Sequence, residues 1–303
     1  MFTDNKVDST AAGVHRERSR CVLLEASYMC GEARAVAGTH AYALESNRMN
    51  RLCLILMLCV ATSCDAVSDV SQPTSASAQE SPRQSVHAGI TFVEETLGHV
   101  RTNETAPLIV LLHGLGDTPE NFLDTFRALP VRARVAAARA FDPFSEGYAW
   151  FPPRPSANAE ERAGVIRNAA TRLVPAIREL VASHPTCGAP IVIGFSQGAM
   201  LAYGLSVNAN ANLAAVYPIA GYLPRSLAAA HAAANAPRII SLHGNADRRV
   251  ALADDQAGAA ALTQAGYTVD PHVYPNTDHT ISAAMLSDLS TSLTATIQSL
   301  HCQ

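Results

Sequence analysis

Apolar runs that alternate with helical patterns restrict the fold of this chain more than any other feature. Continuous runs of leucine and β-branched residues predict strands at 107–112, 190–194 and 238–242, with weaker candidates at 134–138 and 214–219. Such runs are typical of strands buried on both faces of a mainly parallel sheet. Helical spacing begins near Thr118, Ala159, Ala251 and Ile281. Pro175 is expected to kink or split the second of these helices. We therefore predict an α/β fold with helices on both faces of the sheet.

Composition removes several classes of protein. The 303 residues are 48% hydrophobic and carry a formal net charge of -4, which is ordinary for a globular protein. This mild acidity gives no reason to expect nucleic acid as a partner. The only lysine is Lys6. Schiff-base, cofactor-binding and phosphate-loop lysines are therefore absent from the rest of the chain.

Residues 49–64 have the layout of a bacterial export signal, with Arg51 before an apolar run at 52–61 and small residues after it. Ten apolar residues are too few to span a bilayer as a helix. The closing Ala61-Thr62-Ser63-Cys64 resembles a lipoprotein cleavage box. This predicts lipidation at Cys64 and an exported protein that is membrane-anchored, periplasmic or secreted. A plain secretory signal or a short buried helix is the alternative.

The other parts of the chain differ in character. Residues 1–48 are charged and aperiodic, and Met49 is the better start, so we interpret them as a non-native or disordered extension. Residues 65–88 are rich in Ser, Ala, Gln, Asp and Pro, which predicts a flexible tether. Residues 89–303 have the length of one α/β domain.

Two of the seven cysteines, Cys187 and Cys302, fall in the predicted domain, without metal-like spacing. The predicted topology places both near the N-terminal edge of the sheet. A disulfide between them would suit an exported protein and would add about 4–5 kcal/mol in the chain-entropy model. Two unpaired thiols are the alternative.

The motif Gly194-Phe195-Ser196-Gln197-Gly198 follows a buried strand and opens a helix, which is the context of a nucleophile elbow. A tight turn there exposes the serine at the sheet edge, and the flanking glycines let the two backbones approach. The helix start also directs N–H groups at developing negative charge. We predict that Ser196 is a nucleophile.

A serine hydroxyl needs a base, and in this fold the chain order is Ser, then Asp or Glu, then His. Asp247 follows a buried strand, and His279 lies in a loop before the last helix. The C-terminal ends of parallel strands meet at one edge, so all three side chains are expected there.

Other candidates fit less well. Asp278 adjoins His279, but consecutive side chains in a loop seldom face each other. Asp254 and Asp255 fall in a predicted helix and are expected to be solvated, and His243 precedes Asp247 in the chain. Three further histidines have no motif around them: His231, His272 and His301.

The loop at 112–117 follows an early strand and can supply a second oxyanion donor. The backbone amides of Leu115 and Gln197 would then form a two-donor hole, although a plain glycine turn braced by neighbouring side chains fits the same loop. A dinucleotide site is excluded, because proline occupies position 119. Three residues are predicted to line an acyl pocket, with a plain packed loop as the alternative: His113, Trp150 and Phe151.

These motifs, with His243-Gly244-x-x-Asp247, resemble the phospholipase/carboxylesterase family of α/β-hydrolases, which includes acyl-protein thioesterases. The resemblance covers about residues 90–300. It implies an α/β-hydrolase fold without a large cap, with Ser196, Asp247 and His279 as a triad. It also implies hydrolysis of small carboxylic esters, thioesters or lysophospholipids without metal or organic cofactor. A polyester depolymerase, a peptidase and a non-catalytic binding lipoprotein are the alternatives.

Overall fold

The computed structural model describes residues 82–153, 158–228, 231–300 and 302. The predicted extension, the export signal, Cys64 and most of the tether lie outside these residues, as does His301. Among the residues that are described, no helix has the length and apolar character needed to cross a membrane.

Among the described residues, eight strands form one sheet in the order β1-β2-β4-β3-β7-β8-β9-β10. Their bounds are β1 Arg83–His87, β2 Ile90–Leu97, β3 Leu108–Leu112, β4 Ala133–Ala138, β7 Ile191–Phe195, β8 Ala215–Ile219, β9 Arg238–Gly244 and β10 Val269–Tyr274. The pairings from β4 through β10 are parallel, and β1–β2 and β2–β4 are antiparallel. A small hairpin of β5, Asp142–Phe144, and β6, Gly147–Ala149, stands apart. The five strands predicted from apolar runs are confirmed.

In the described part of the chain, five α-helices cover the sheet. They are α1 Pro119–Asp124, α2 Ala159–Ser183, α3 Gln197–Ser206, α4 Leu252–Gln264 and α5 Ala283–Ser299. The cores on the two faces of the sheet are separate: α2, α3 and α4 contribute to one, and α1 and α5 to the other. Strand β3 serves both, because Val110 faces the first core and Ile109 the second.

Helix α1 begins after a capping residue: the Thr118 hydroxyl accepts the N–H of Asn121, and a proline occupies the first turn. Helix α2 continues through Pro175 as one helix, so the split, one of the two expected outcomes, does not occur. That residue is on the exposed side of the helix, so the carbonyl that loses its helical donor can be hydrated.

Sequence patterns did not predict three strands of the main sheet or either strand of the β5–β6 hairpin. Strand β1 lies inside the segment predicted as a tether to residue 88, so that prediction is wrong for Arg83–His87. It is a largely exposed edge strand with little apolar content, and it forms by pairing with β2. Strand β10 is also an edge, and its exposed residues give no buried run. Strand β2 alternates buried and half-buried residues.

A disulfide joins Cys187 to Cys302, with 5.4 Å between their Cα atoms. It links the loop before β7 to the residues after α5. The bond therefore ties the end of the last helix to the N-terminal edge of the sheet, where the topology had placed both thiols.

Candidate active site

Ser196 occupies a sharp turn between β7, which ends at Phe195, and α3, which begins at Gln197. Its backbone has φ 54° and ψ -112°, a conformation that costs a non-glycine residue about 1–3 kcal/mol. The Ser196 N–H donates to the carbonyl of Ile219 in β8 at 3.0 Å. The turn thus holds the serine at the C-terminal edge of the sheet, as predicted.

The two glycines of the turn are required by close backbone approach. A Cβ on Gly194 would collide with the carbonyl of Gly198, and a Cβ on Gly198 would collide with the carbonyl of Leu112 in β3. Neither obstacle can move as a flexible side chain could. These contacts give the physical reason for the glycine spacing in the motif.

Ser196, His279 and Asp247 form one hydrogen-bonded chain. The Nε2 atom of His279 lies 2.9 Å from Ser196 Oγ, and its Nδ1 atom lies 2.7 Å from Asp247 Oδ2. A carboxylate only accepts, so Nδ1 carries the proton and Nε2 is free to accept from the serine hydroxyl. The structure therefore brings together the three residues that the sequence pointed to.

The Asp247 carboxylate is held by its own loop. Its Oδ1 atom accepts the N–H groups of Arg249 at 2.8 Å and Val250 at 2.9 Å. Burial opposes its ionisation, but the Val250 N–H, the His279 ring and the Arg249 N–H outweigh burial and lower the pKa of Asp247. The charge that faces His279 is therefore stable at neutral pH.

The competing residues have other positions. Asp278 accepts the backbone N–H groups of Arg248 and His279, and these bonds lower its pKa. It therefore braces the loop, while the ring of His279 bonds to Asp247. The expectation of a solvated Asp255 is wrong: its side chain faces the core from α4 and the residue is 3% exposed.

Leu115 and Gln197 lie on the same cleft as Ser196. Gln197 is the first residue of α3, so its N–H has no acceptor within the helix. Among the described residues, neither of the two backbone N–H groups donates to a protein acceptor. Both amides are thus available to an oxyanion.

Comparison with known proteins agrees with this geometry. A family model described as Phospholipase/Carboxylesterase matches residues 99–297. The chain belongs to the phospholipase/carboxylesterase family. It is a hydrolase, and its sheet order and helices are those of the α/β-hydrolase fold. Its described residues include no large cap domain.

Solved structures resemble this phospholipase/carboxylesterase-family hydrolase in fold. The esterase PE8 is 21% identical at a TM-score of 0.56, over 71% of this chain and 98% of its own. The Bacillus cereus carboxylesterase is 18% identical at a TM-score of 0.58, over 68% of this chain and 94% of its own. Zea mays acyl-protein thioesterase 2 is 22% identical at a TM-score of 0.52, over 67% of this chain and 98% of its own. No curated protein matches the chain by sequence.

Two of the residues predicted to line the pocket are buried braces of this hydrolase instead. His113 and Trp150 are almost inaccessible and do not line the cleft, whereas Phe151 does. The Trp150 indole donates to the His113 carbonyl at 2.9 Å, and the His113 Nε2 atom accepts the N–H of Ala140. Burial lowers the pKa of His113, so its ring stays neutral in this role. His113 and Trp150 do not reach the cleft because both rings are packed behind the 112–117 loop.

The side chain of Gln197 has a role that sequence reasoning missed. Its Oε1 accepts the N–H of Trp150 at 2.9 Å, and its Nε2 donates to the carbonyl of Phe151 at 2.8 Å. It thus ties the start of α3 to the aromatic segment. The nucleophile-elbow motif points only to the backbone N–H of Gln197, and no local sequence pattern indicates that its side chain bonds to residues 150 and 151.

The cleft beside Ser196 has a volume of about 970 Å³. Its wall is part apolar and part charged. The apolar members include Leu115, Phe151, Phe195, Met200 and Val250, and the charged ones are Asp117, Arg162, Arg248, Arg249, Asp254 and Asp278. The described residues contain no group of His, Cys, Asp or Glu side chains arranged to hold a metal ion.

Proposed function

We propose that this ester hydrolase acts through an acyl-enzyme on Ser196, with short or medium acyl esters as substrates. The observation that carries the proposal is the continuous hydrogen-bonded chain from Asp247 through His279 to Ser196, open to a cleft. A hydroxyl that donates to a correctly oriented imidazole is the arrangement needed to make serine a nucleophile.

The reaction follows from these positions. His279 Nε2 takes the Ser196 proton as Oγ attacks the substrate carbonyl, and the amides of Leu115 and Gln197 bind the oxyanion. The C–O bond to the leaving group breaks, and the alcohol departs with the proton from His279. Water, deprotonated by His279, then attacks the acyl-enzyme and releases the acid. Asp247 holds the ring in the required tautomer throughout.

The substrate class rests on the cleft. Apolar side chains beside Ser196 suit a short or medium acyl chain, and the charged residues on its wall suit a polar leaving group. Thioesters and lysophospholipids share these features. A panel of p-nitrophenyl esters from acetyl to dodecanoyl, with matched thioesters, measures the preference as kcat/KM.

Replacement of the nucleophile tests the mechanism. Ser196→Ala should lower kcat on p-nitrophenyl butyrate by at least about 10³-fold and abolish covalent labelling by a fluorophosphonate probe. Ser183→Ala, which removes a hydroxyl that bonds to the Leu180 carbonyl at the end of α2, should keep both activity and labelling. Labelling of Ser196→Ala at the wild-type rate would refute the assignment. A wild-type protein that neither labels nor hydrolyses any ester would indicate a binding module.

Export and lipid attachment at Cys64 belong to the same proposal and rest on residues 49–64 of the sequence. An anchored enzyme would meet its esters at a membrane surface. Cys64→Ser should move the full chain from the membrane fraction to the soluble fraction and remove incorporation of a labelled fatty acid. Unchanged fractionation and labelling would contradict the anchor.

A further inference from the structure

A second set of buried polar side chains lies behind Asp247. His243, in β9, is 1% exposed, and Asp255, in α4, is nearly as inaccessible. The hydroxyl of Tyr203, in α3, donates to Asp255 Oδ1 at 2.5 Å. Burial, followed by Asp255, raises the pKa of Tyr203 well above its ordinary value, so the hydroxyl remains the donor. Strand β9, helix α4 and helix α3 therefore each contribute one side chain to this buried cluster.

Both ring nitrogens of His243 face acceptors. Its Nε2 atom lies 3.0 Å from the carbonyl oxygen of Val250 and 3.4 Å from Asp247 Oδ2. Its Nδ1 atom lies 3.4 Å from Asp255 Oδ2, which is within ion-pair distance but lacks hydrogen-bond geometry. The same Asp247 oxygen accepts from His279, so one carboxylate atom is shared by two imidazole rings.

These neighbours decide the protonation of the ring. A carbonyl only accepts, so Nε2 carries a proton. If Nδ1 had none, its lone pair would face a carboxylate lone pair in a buried site, which is repulsive. A proton on Nδ1 removes that conflict. Burial alone would lower the pKa of His243, but Asp255, the Val250 carbonyl and Asp247 outweigh it, and the pKa is raised.

We propose that His243 is a buried imidazolium that positions Asp247 for its bond to His279, and that Asp255 and Tyr203 hold this charge in place. His243 does not touch the cleft and acts through Asp247, so it is a positioning residue. The proposal rests on the proposed role of Ser196, His279 and Asp247.

The charge of His243 has a consequence for the pH profile. With Asp247, Asp255 and His243 charged, the buried group carries one net negative charge, and it becomes neutral when His279 takes the serine proton. The His243 cation and the proton that His279 takes from the serine face the same oxygen of Asp247, so the two positive charges repel each other. Removal of the His243 cation should therefore move the acidic limb of kcat/KM to higher pH.

The charge itself can be read without turnover. In protein labelled with ¹⁵N-histidine, His243 should show two protonated ring nitrogens at about pH 8, where an ordinary histidine is neutral. His243→Gln assigns the signals by their loss. An unprotonated Nδ1 at this pH would overturn the proposal whatever the enzyme's activity, so failure here is distinct from failure of Ser196 to form an acyl-enzyme.

The pH profile tests the coupling to His279. In His243→Gln the glutamine amide can still donate to Val250, and the acidic limb should move upward by about 0.5 to 1 pH unit with little change in KM. Asp255→Asn should give a smaller shift in the same direction, because His243 loses its counter-ion and its charge while the negative charge of Asp255 is lost as well. The double variant should not exceed His243→Gln alone. Asp288→Asn is the matched control, since Asp288, in α5, accepts a hydrogen bond from the hydroxyl of Tyr274, in β10, and it should leave the limb in place. An acidic limb that moves in neither His243→Gln nor Asp255→Asn would overturn the coupling, whereas a purely structural role would lower stability alone.

Discussion

Asp247→Asn removes one charge while it keeps the shape of the side chain. The asparagine oxygen can still accept the N–H groups of Arg249 and Val250, which now bond to Oδ1 at 2.8 and 2.9 Å. Its NH₂ group would then occupy the place of Oδ2, 2.7 Å from His279 Nδ1. Two donors cannot face each other, so the ring must move its proton to Nε2 or turn away.

The size of the effect follows from this change of tautomer. A ring with its proton on Nε2 cannot accept the Ser196 proton, and the equivalent change in serine proteases lowers kcat by about 10⁴-fold. We expect a loss of about 10³- to 10⁴-fold, or about 4 to 5.5 kcal/mol in the activation free energy. The free energy of unfolding should fall by about 1–3 kcal/mol, because one charge-assisted hydrogen bond is lost and two backbone bonds stay.

Stopped-flow hydrolysis of p-nitrophenyl butyrate measures kcat, and urea unfolding measures stability. Asp278→Asn is the control, because Asp278 adjoins His279 but accepts the backbone N–H groups of Arg248 and His279, and the activity of this variant should fall by less than about tenfold. If Asp247→Asn retained a tenth of the wild-type kcat, or if Asp278→Asn were the more damaged variant, the assignment of the acid would be refuted.

Three further predictions concern stability. Loss of the disulfide in Cys187→Ala/Cys302→Ala should lower the free energy of unfolding by about 5 kcal/mol in the chain-entropy model, since the bond closes a 115-residue separation, with kcat unchanged at temperatures where the variant is folded. Gly198→Ala should cost about 3 kcal/mol or more, because its Cβ would meet a backbone carbonyl, whereas Gly164→Ala in α2 meets no atom and should stabilise by about 0.5–1 kcal/mol in thermal melts. The lowered pKa of Asp247 means that its charge favours folding above the unfolded pKa and that this contribution is lost as the pH falls through the folded one. Wild-type protein should therefore lose stability below about pH 4 more steeply than Asp247→Asn in urea titrations.

Local patterns were sufficient for much of this hydrolase. The buried parallel strands can be recognised in the sequence as continuous apolar runs, because both of their faces pack against helices. Ser196 is identified by a strand, a turn and a helix that are contiguous in the chain. Asp247 and His279 follow from chain order, since parallel strands deliver their C-terminal ends to one edge.

Contacts between distant segments lay beyond such patterns. His113 and Trp150 look like pocket residues in the sequence, but packing behind the loop made them braces. The exposed strand β1 exists because β2 offers it hydrogen-bonding partners. Asp255 looks solvated on its helix, yet the fold places it beside His243.

The sequence by itself therefore determined the fold class, the buried parallel strands and the three side chains of the candidate site. Each of these can be recognised from a local motif or from the order of motifs along the chain. Only the tertiary structure decided which of the polar residues are buried and what they face. Burial is set by segments far apart in the chain, and the free energy of a buried charge depends on the groups around it.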